Sequence, residues 1–172
     1  MSTTAQTHVP SDTATGGDEQ PLEELVSLVY ASAAAPSLTP EGIARVLEVS
    51  RRNNARLGVT GMLLHHRGSF FQVLEGPPAV VDALYAKIFG DERHEGVVLL
   101  IRETVEERTF GDWTMGWSEL TTAQLASLPG CNDFFSSGSC FRALGEGRAR
   151  QVLDGFRGGR WHVGHSPDRV AA

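Results

Sequence analysis

Tyr30, Asn54, Gln72, Trp113 and Met115 are the side chains that could do chemistry together, although they lie in four separate stretches of the sequence. A phenol is neutral at physiological pH and can donate a proton, and each carboxamide combines an accepting oxygen with a donating NH2 group. Each residue alone also has an ordinary structural explanation, such as a tyrosine anchored in the core by one hydrogen bond. Together they are harder to explain by packing alone.

Gln72 is the residue that hydrophobic patterning explains least. It lies in a predicted β-hairpin, in which the apolar runs 62–64 and 70–74 flank a polar turn at 67–69. Period-two alternation places its side chain on the same face as the buried Phe70. An unpaired buried polar group costs about 1–3 kcal/mol. The amide is therefore either bonded to neighbouring backbone or directed at a polar ligand.

Three further stretches are predicted to be strands. Residues 25–32 are rich in β-branched side chains and carry Tyr30 near their end. The run 96–101 is apolar from its second position onward, which is typical of a central strand covered on both faces. Residues 113–120 alternate large and small side chains. This last strand is expected to place three large residues on one side: Trp113, Met115 and Trp117.

Capping signals and apolar spacing predict two amphipathic helices. The first covers residues 40–56, with Thr39 as its N-cap and Gly58 at its end. The second follows the Pro77-Pro78 pair and ends at Gly90. The expected inner face of the first helix carries Ile43, Val46, Leu47, Ser50 and Asn54, with Asn53 beside it, and that of the second carries Val81, Leu84, Tyr85 and Ile88.

The order β-α-β-β-α-β-β predicts an α+β fold, a ferredoxin-like sheet with both helices on one face. A short segment at 121–128 and a helix at 141–156, with Leu144, Val152 and Phe156 as apolar positions, are expected to cover the other face. Residues 1–22 contain few large apolar side chains and predict a disordered leader. Residues 23–120 then form the main domain, and 121–172 form a C-terminal helical cap.

Composition excludes several classes of partner. A net charge of -6 and a pI near 5.5 argue against nucleic acid and anionic membrane surfaces, both of which require clustered basic residues. No apolar run is long enough to span a bilayer, and no secretory signal pattern occurs. We therefore expect a cytoplasmic protein. Cys131 and Cys140 are too few for a disulfide scaffold and are expected to be reduced thiols.

Common enzyme motifs are absent from the sequence. The stretch 145–150 resembles the start of a dinucleotide fingerprint but lacks the third glycine and follows no strand. There is no nucleophile elbow, P-loop or zinc-ligand spacing. His65 and His66 occupy adjacent strand positions and are expected to point to opposite faces, which excludes a shared metal.

In collinear order, the sequence resembles the BLUF domains, blue-light sensors that use a flavin. The resemblance runs from Leu25 to Leu120, and the residues after Thr121 are similar to the helical cap of short single-domain members. It is carried by Leu28-Val-Tyr30-Ala-Ser, Ser50-Arg-Arg-Asn-Asn54, Gly58-Val-Thr-Gly61, Gly68-Ser-Phe-Phe-Gln72-Val-Leu-Glu-Gly76, Arg93-His94 and Phe110-Gly-Asp-Trp113-Thr-Met115-Gly.

The resemblance implies a flavin between the two helices, FAD with FMN or riboflavin as alternatives. Asn54 would hold the pyrimidine edge of the ring, and Arg93 and His94 would lie toward the ribityl and phosphate part. The cofactor-binding residues that it implies are Tyr30, Ser50, Asn53, Asn54, Gln72, Leu74, Arg93 and His94. The photoactive residues that it implies are Tyr30, Gln72, Trp113 and Met115.

By this resemblance the chain is a photoreceptor and not an enzyme. Light would drive electron and proton transfer from Tyr30 to the flavin and rearrange the hydrogen bonds of Gln72. The signal would pass through the last strand and the C-terminal helices to an unidentified protein partner, and the chain would form homo-oligomers. Two alternatives are a flavin-dependent redox enzyme, for which no acid or base stands out, and a ferredoxin-like binding module such as an RNA-binding sheet.

Overall fold

Five strands and four α-helices make up the part of the chain that the computed structural model describes, residues 24–127 and 136–157. The predicted leader, Cys131 and the end of the predicted cap lie outside these residues, and Cys140 is a free thiol. The elements are β1 (Leu25–Ala34), α1 (Pro40–Leu57), β2 (Thr60–His66), β3 (Ser69–Gly76), α2 (Pro78–Phe89), β4 (His94–Val105), β5 (Gly116–Glu119), α3 (Thr122–Ala126), a 3-10 helix (Phe141–Ala143) and α4 (Glu146–Arg157). The predicted α+β order is confirmed.

The strands form one mixed sheet in the order β4-β1-β3-β2-β5. All neighbouring pairs are antiparallel except β2 and β5, which are parallel. The central pair β1 and β3 sets Tyr30 directly opposite Gln72. This register places the two most unusual polar side chains of the sequence next to each other.

The prediction that the 96–101 run is a central strand was wrong, because β4 lies at the edge of the sheet and pairs only with β1. Val98 and Leu99 are 39% and 46% exposed. Apolar β-branched residues favour a strand in either position, and only pairing decides which position it takes. Irregularities in the β1 and β4 register, between Val29 and Tyr30 and after Ala31, interrupt the regular alternation of β4.

Local signals at the turn and the helix ends behave as the sequence predicts. Arg67 and Gly68 both have positive φ, 47° and 69°, as a tight two-residue hairpin turn requires, so Ser69 already belongs to β3. The Thr39 side chain accepts a hydrogen bond from the Gly42 N–H, and Gly58 ends α1 in the left-handed conformation. Only Leu47 and Asn54 of α1 are fully buried, so the helix does not close onto the sheet along its whole length.

The sheet separates two hydrophobic cores. The cleft-side core lies under α1 and α2 and contains Val26, Leu28, Tyr30, Leu47, Val59, Leu63, Phe70, Leu74, Val81 and Met115. The cap-side core lies under the C-terminal helices and includes Val29, Phe71, Val73, Phe110, Leu125, Phe141, Leu144, Val152 and Leu153. His65 contacts Trp117 and Phe70 of the cleft side, whereas His66 faces Phe141, which confirms their opposite directions.

The C-terminal residues cover the second face, as predicted, but not as one helix from 141. Phe141–Ala143 forms a 3-10 turn, Leu144 is extended and buried, and α4 begins only at Glu146. The extended Leu144 interrupts the helical backbone, which explains the later start. The side chain of Phe156 lies outside the described residues. No helix in the described ranges is long and apolar enough to cross a membrane.

Candidate functional site

A cleft opens between α1 and α2 over the sheet. It encloses about 110 Å³ and widens toward an open mouth. Its apolar walls include Val46, Val49, Leu63, Leu84 and Ile88. Its polar lining includes Ser50, Asn53, Asn54, Gln72, Arg93 and His94. The incomplete closure of α1 on the sheet is what leaves this space.

Tyr30 and Gln72 form a buried pair beneath the cleft. The Tyr30 hydroxyl donates to Gln72 Oε1, and the Gln72 Nε2 lies 3.4 Å from the Met115 sulfur, a weak acceptor. The tyrosine is fully buried, while Gln72 keeps 5% of its surface open to the cleft. The Gln72 amide therefore contacts the side chains of Tyr30 and Met115 and faces the cleft. Of the two alternatives that the sequence left open, this favours a polar ligand over neighbouring backbone.

Burial keeps the Tyr30 phenol protonated. Desolvation raises its pKa far above the usual tyrosine range, and the nearby Tyr85 and Asp91 raise it further. The Tyr85 ring lies 5.6 Å from that of Tyr30, centroid to centroid. Tyr30 is thus a neutral hydrogen-bond donor to Gln72.

Two side chains near the end of α1 donate hydrogen bonds to the segment that precedes β5. Asn54 is buried, and its Nδ2 donates to the Thr114 carbonyl at 2.7 Å. Arg51 Nε donates to the Met115 carbonyl at 2.9 Å. Sequence reasoning missed Arg51, although its i+4 spacing from Leu47 placed it on the inner face of the helix.

The far end of the cleft is polar. Arg93 pairs with Asp91 at 2.8 Å between Nε and Oδ1, and this hydrogen bond lowers the pKa of Asp91 to about 2. His94 Nδ1 lies 2.9 Å from the Ser32 hydroxyl. Burial lowers the pKa of His94, the Asp91 charge partly opposes this shift, and the Arg93 charge adds a smaller lowering. His94 is therefore neutral at physiological pH, and Arg93 carries a positive charge at this end.

The expectation that Trp113, Met115 and Trp117 share one side was wrong for Trp113. Met115 belongs to the cleft-side core and Trp117 packs against it, but Trp113 packs against the cap-side core and stacks on Phe110 at 6.0 Å. Because β5 starts only at Gly116, residue 113 does not follow strand alternation. A Cβ on Gly116 would lie 2.6 Å from the Trp113 ring, so the glycine makes room for this arrangement.

The structure brings six of the eight expected cofactor-binding residues to the cleft: Ser50, Asn53, Asn54, Gln72, Arg93 and His94. Leu74 is fully buried in the cleft-side core and does not line the cleft. Tyr30 reaches it through Gln72. Of the expected photoactive residues beside Tyr30 and Gln72, Met115 contacts Gln72, whereas Trp113 packs against the cap-side core.

Comparison with known families matches residues 25–116 to the BLUF model, described as sensors of blue-light using FAD. The chain belongs to the BLUF family. The matched residues span β1 to the start of β5 and include every residue that lines the cleft. As a BLUF protein, the chain is a blue-light sensor that binds a flavin.

Relatives of this BLUF domain include parts of much longer proteins. It is 33% identical over 136 residues to photoactivated adenylate cyclase subunit alpha of Euglena gracilis, a match that covers 79% of this chain and 13% of the relative. It is 34% identical to the beta subunit of Euglena longa, covering 74% of this chain and 14% of that protein. The chain thus spans about one seventh of these relatives.

Solved BLUF structures share the fold. The dark-state structure of BlrB, a BLUF protein, is 28% identical with a TM-score of 0.65, covering 80% of this chain and 98% of that one. The ground state of BlsA is 25% identical with a TM-score of 0.66, covering 77% and 87%. A bacterial light-regulated adenylyl cyclase is 41% identical with a TM-score of 0.55, covering 56% of this chain and 28% of that one.

The side chains of the BLUF cleft fit a flavin chemically. Its apolar walls suit a flat aromatic ring, and the carboxamides of Asn53, Asn54 and Gln72 offer both donors and acceptors to the polar edge of such a ring. At the polar end the lining includes the cations Arg93 and Lys87, and the Arg93 guanidinium is paired with Asp91.

Proposed function

We propose that this BLUF domain detects blue light through the Tyr30 and Gln72 pair, with FAD held in the cleft between α1 and α2. The observation that carries the proposal is the hydrogen bond from the buried Tyr30 hydroxyl to Gln72 at the base of that cleft. A buried phenol and carboxamide that face an open cleft are the groups that could respond to a change in a bound chromophore.

The lining of the cleft supports particular roles in binding. Asn54, with Asn53 and Ser50 on the same turns of α1, is proposed to hold the pyrimidine edge of the flavin. Arg93 and His94 are proposed to hold the ribityl and phosphate part. FMN and riboflavin share the ring and differ in that part, so Arg93 is the residue whose contribution depends on the flavin bound.

A bound flavin would supply the chromophore and the acceptor for an electron and a proton. Tyr30 is the neutral, buried donor of both. Gln72 is the group that responds, because exchanging the oxygen and nitrogen ends of its amide changes which of them faces Tyr30 and which faces the cleft. The weak contact of Nε2 with the Met115 sulfur opposes this exchange little.

The part of the domain that carries the output must have two conformations of nearly equal free energy. Re-forming one hydrogen bond is worth about 0.5–1.5 kcal/mol net, which shifts a two-state equilibrium roughly two- to thirteenfold. Met115 contacts Gln72 with its side chain and Arg51 with its carbonyl, so it is proposed to carry the signal into β5 and the C-terminal helices.

We propose that the domain signals to a separate protein partner and does not itself catalyse a reaction. The part that would carry the signal, Met115 followed by β5, leads directly into α3 at Thr122. Homo-oligomers and a cytoplasmic location fit the same proposal.

Absorption spectra before, during and after blue illumination test the proposal. Wild-type protein should be yellow and show a small reversible red shift without added substrate. Tyr30→Phe and Gln72→Leu should bind flavin and show no shift. Tyr85→Phe is the matched control, because Tyr85 is half-buried beside Tyr30 and has no hydrogen bond to Gln72 among those that the structure shows.

Three results would reject the proposal in different ways. A colourless protein would favour a binding module without flavin. A yellow protein that changes its spectrum only when a substrate is added would favour a redox enzyme. A normal red shift in Tyr30→Phe would remove the tyrosine from the mechanism. Chromatography of the flavin released by heat decides between FAD, FMN and riboflavin.

A further inference from the structure

Glu75, at the end of β3, is a buried acid that the proposed photochemistry does not use. Its side chain is inaccessible to solvent, and Oε2 accepts a hydrogen bond from the Phe110 backbone N–H at 2.9 Å. Within the described residues, Oε1 has no hydrogen-bond partner. The buried hydroxyl of Ser27, opposite Glu75 on β1, also has none there. Burying an acid with one oxygen unbonded costs free energy of folding, and packing alone does not explain why it is there.

β3 holds the segment 110–115 from both faces of the sheet. Gln72 and Glu75 are three positions apart on this strand, so their side chains point to opposite faces. Glu75 binds Phe110 in the cap-side core, and Gln72 contacts Met115 in the cleft-side core. The segment therefore passes from one face of the sheet to the other between two anchors on a single strand.

Between these anchors the backbone is hydrogen-bonded at Phe110, Trp113 and Thr114. The Phe110 carbonyl accepts from the Trp113 N–H at 2.9 Å, and the Trp113 carbonyl accepts from the Gly61 N–H at 2.9 Å. The Thr114 carbonyl accepts from Asn54 at 2.7 Å. A displacement of Met115 is thus passed along a short, bonded segment toward Phe110, which lies in the core beneath the C-terminal helices.

We propose that Glu75 is a positioning residue for the light response. Its hydrogen bond to Phe110 fixes the far end of the segment 110–115 and thereby holds Met115 against Gln72. It also makes the segment stiff enough for a movement at Met115 to reach the C-terminal cap. The inference rests on the proposed role of Gln72 but concerns a residue on the opposite face, which touches neither Tyr30 nor the cleft.

Three variants separate this role from a merely structural one. Glu75→Leu removes the acceptor for Phe110 at similar volume, Glu75→Gln keeps one accepting oxygen, and Ser27→Ala is the control for the loss of a polar group at the same place. We expect all three to bind flavin and to show the red shift. Glu75→Leu should return to the dark state roughly fivefold to tenfold faster, because Met115, which contacts Gln72, is then held less firmly. Glu75→Gln and Ser27→Ala should stay within about twofold of wild type.

Hydrogen exchange of the Phe110 amide in wild-type protein provides a test that needs no variant to fold. The amide should be protected in the dark and exchange faster under illumination. Equal protection in both states, or wild-type recovery in Glu75→Leu, would overturn the proposal, as would an equal effect of Ser27→Ala. A wild-type protein without any red shift would instead reject the proposed function itself.

Discussion

The two ends of the Gln72 amide have partners of unequal strength. Its oxygen accepts from the Tyr30 phenol, whereas its nitrogen faces a thioether sulfur 3.4 Å away. A thioether accepts hydrogen bonds weakly, so the orientation of the amide depends mainly on Tyr30. A change in the proton affinity of groups that face the cleft would therefore be enough to change which end of the amide faces the phenol.

His94 predicts how stability depends on pH. Burial lowers its pKa below the ordinary value of 6.5, so the unfolded chain binds a proton more readily than the folded one. The contribution of neutral His94 to the free energy of unfolding should be fully present above pH 6.5. It should be lost as the pH drops through the lowered pKa. Urea denaturation at pH 7.5 and 5.5 should show a loss of stability in wild type that is smaller in His94→Gln.

Asp91 itself titrates in a separate pH window, although its charge also acts on His94. Its pKa is lowered from 3.8 to about 2, so the stability that it adds is present above pH 3.8 and is lost only toward pH 2. Asp91→Asn should therefore remove no stability of its own between pH 7.5 and 5.5, and it should widen the difference due to His94, because the Asp91 charge raises the pKa of His94. If it abolished that difference, His94 would not be its source.

At the level of elements, α1 connects the core, the cleft and the last strand. Leu47, Arg51 and Asn54 recur at i, i+4 and i+7, which places them on one face. Leu47 packs in the cleft-side core, while Arg51 and Asn54 hold the carbonyls of Met115 and Thr114. The position of α1 and that of the segment before β5 are therefore linked.

The two helix ends next to the cleft provide a matched test of backbone conformation. Gly58 ends α1 at φ 66°, where an L side chain is strained, whereas Gly90 ends α2 at φ -93°, where it is not. No atom lies within 4 Å of a Cβ built on Gly58, and the nearest to one on Gly90 is at 3.9 Å, so neither variant creates a clash. Gly58→Ala should lower the free energy of unfolding by about 1 kcal/mol, and Gly90→Ala should leave it unchanged or slightly higher. Equal urea midpoints would contradict the left-handed cap.

For the whole molecule, the C-terminal cap is part of the fold and not an appendage. Phe141 is fully buried, and its ring lies 5.5 Å from that of Phe71 on β3. Phe89, at the end of α2, is 64% exposed. Phe141→Ala should lower the free energy of unfolding by about 3–5 kcal/mol, and Phe89→Ala by less than about 0.5 kcal/mol. Urea denaturation measures both, and a small effect at Phe141 would mean that the cap detaches readily from the sheet.

Local chemistry made many features predictable from the sequence. Thr39 before α1, Pro40 at its first position, Gly58 after it and the tight turn at Gly68 are local signals. Each acts within a few residues, so the local structure follows from neighbouring residues. Period-two alternation within β3 placed Gln72 on the face of Phe70, where the structure has it. The order of motifs likewise identified the BLUF family, which the comparison confirmed.

The sequence by itself determined the element types, the family and the cleft residues on α1 and β3, because periodicity and capping are local properties of the chain. Only the tertiary structure decided that β4 lies at the sheet edge, that Trp113 turns away from Met115, and that Arg51 and Glu75 hold the segment between them. Those outcomes depend on which strands pair and on hydrogen bonds between a side chain and the backbone of residues 35 and 64 positions apart. No pattern within a single stretch of sequence encodes contacts over such separations.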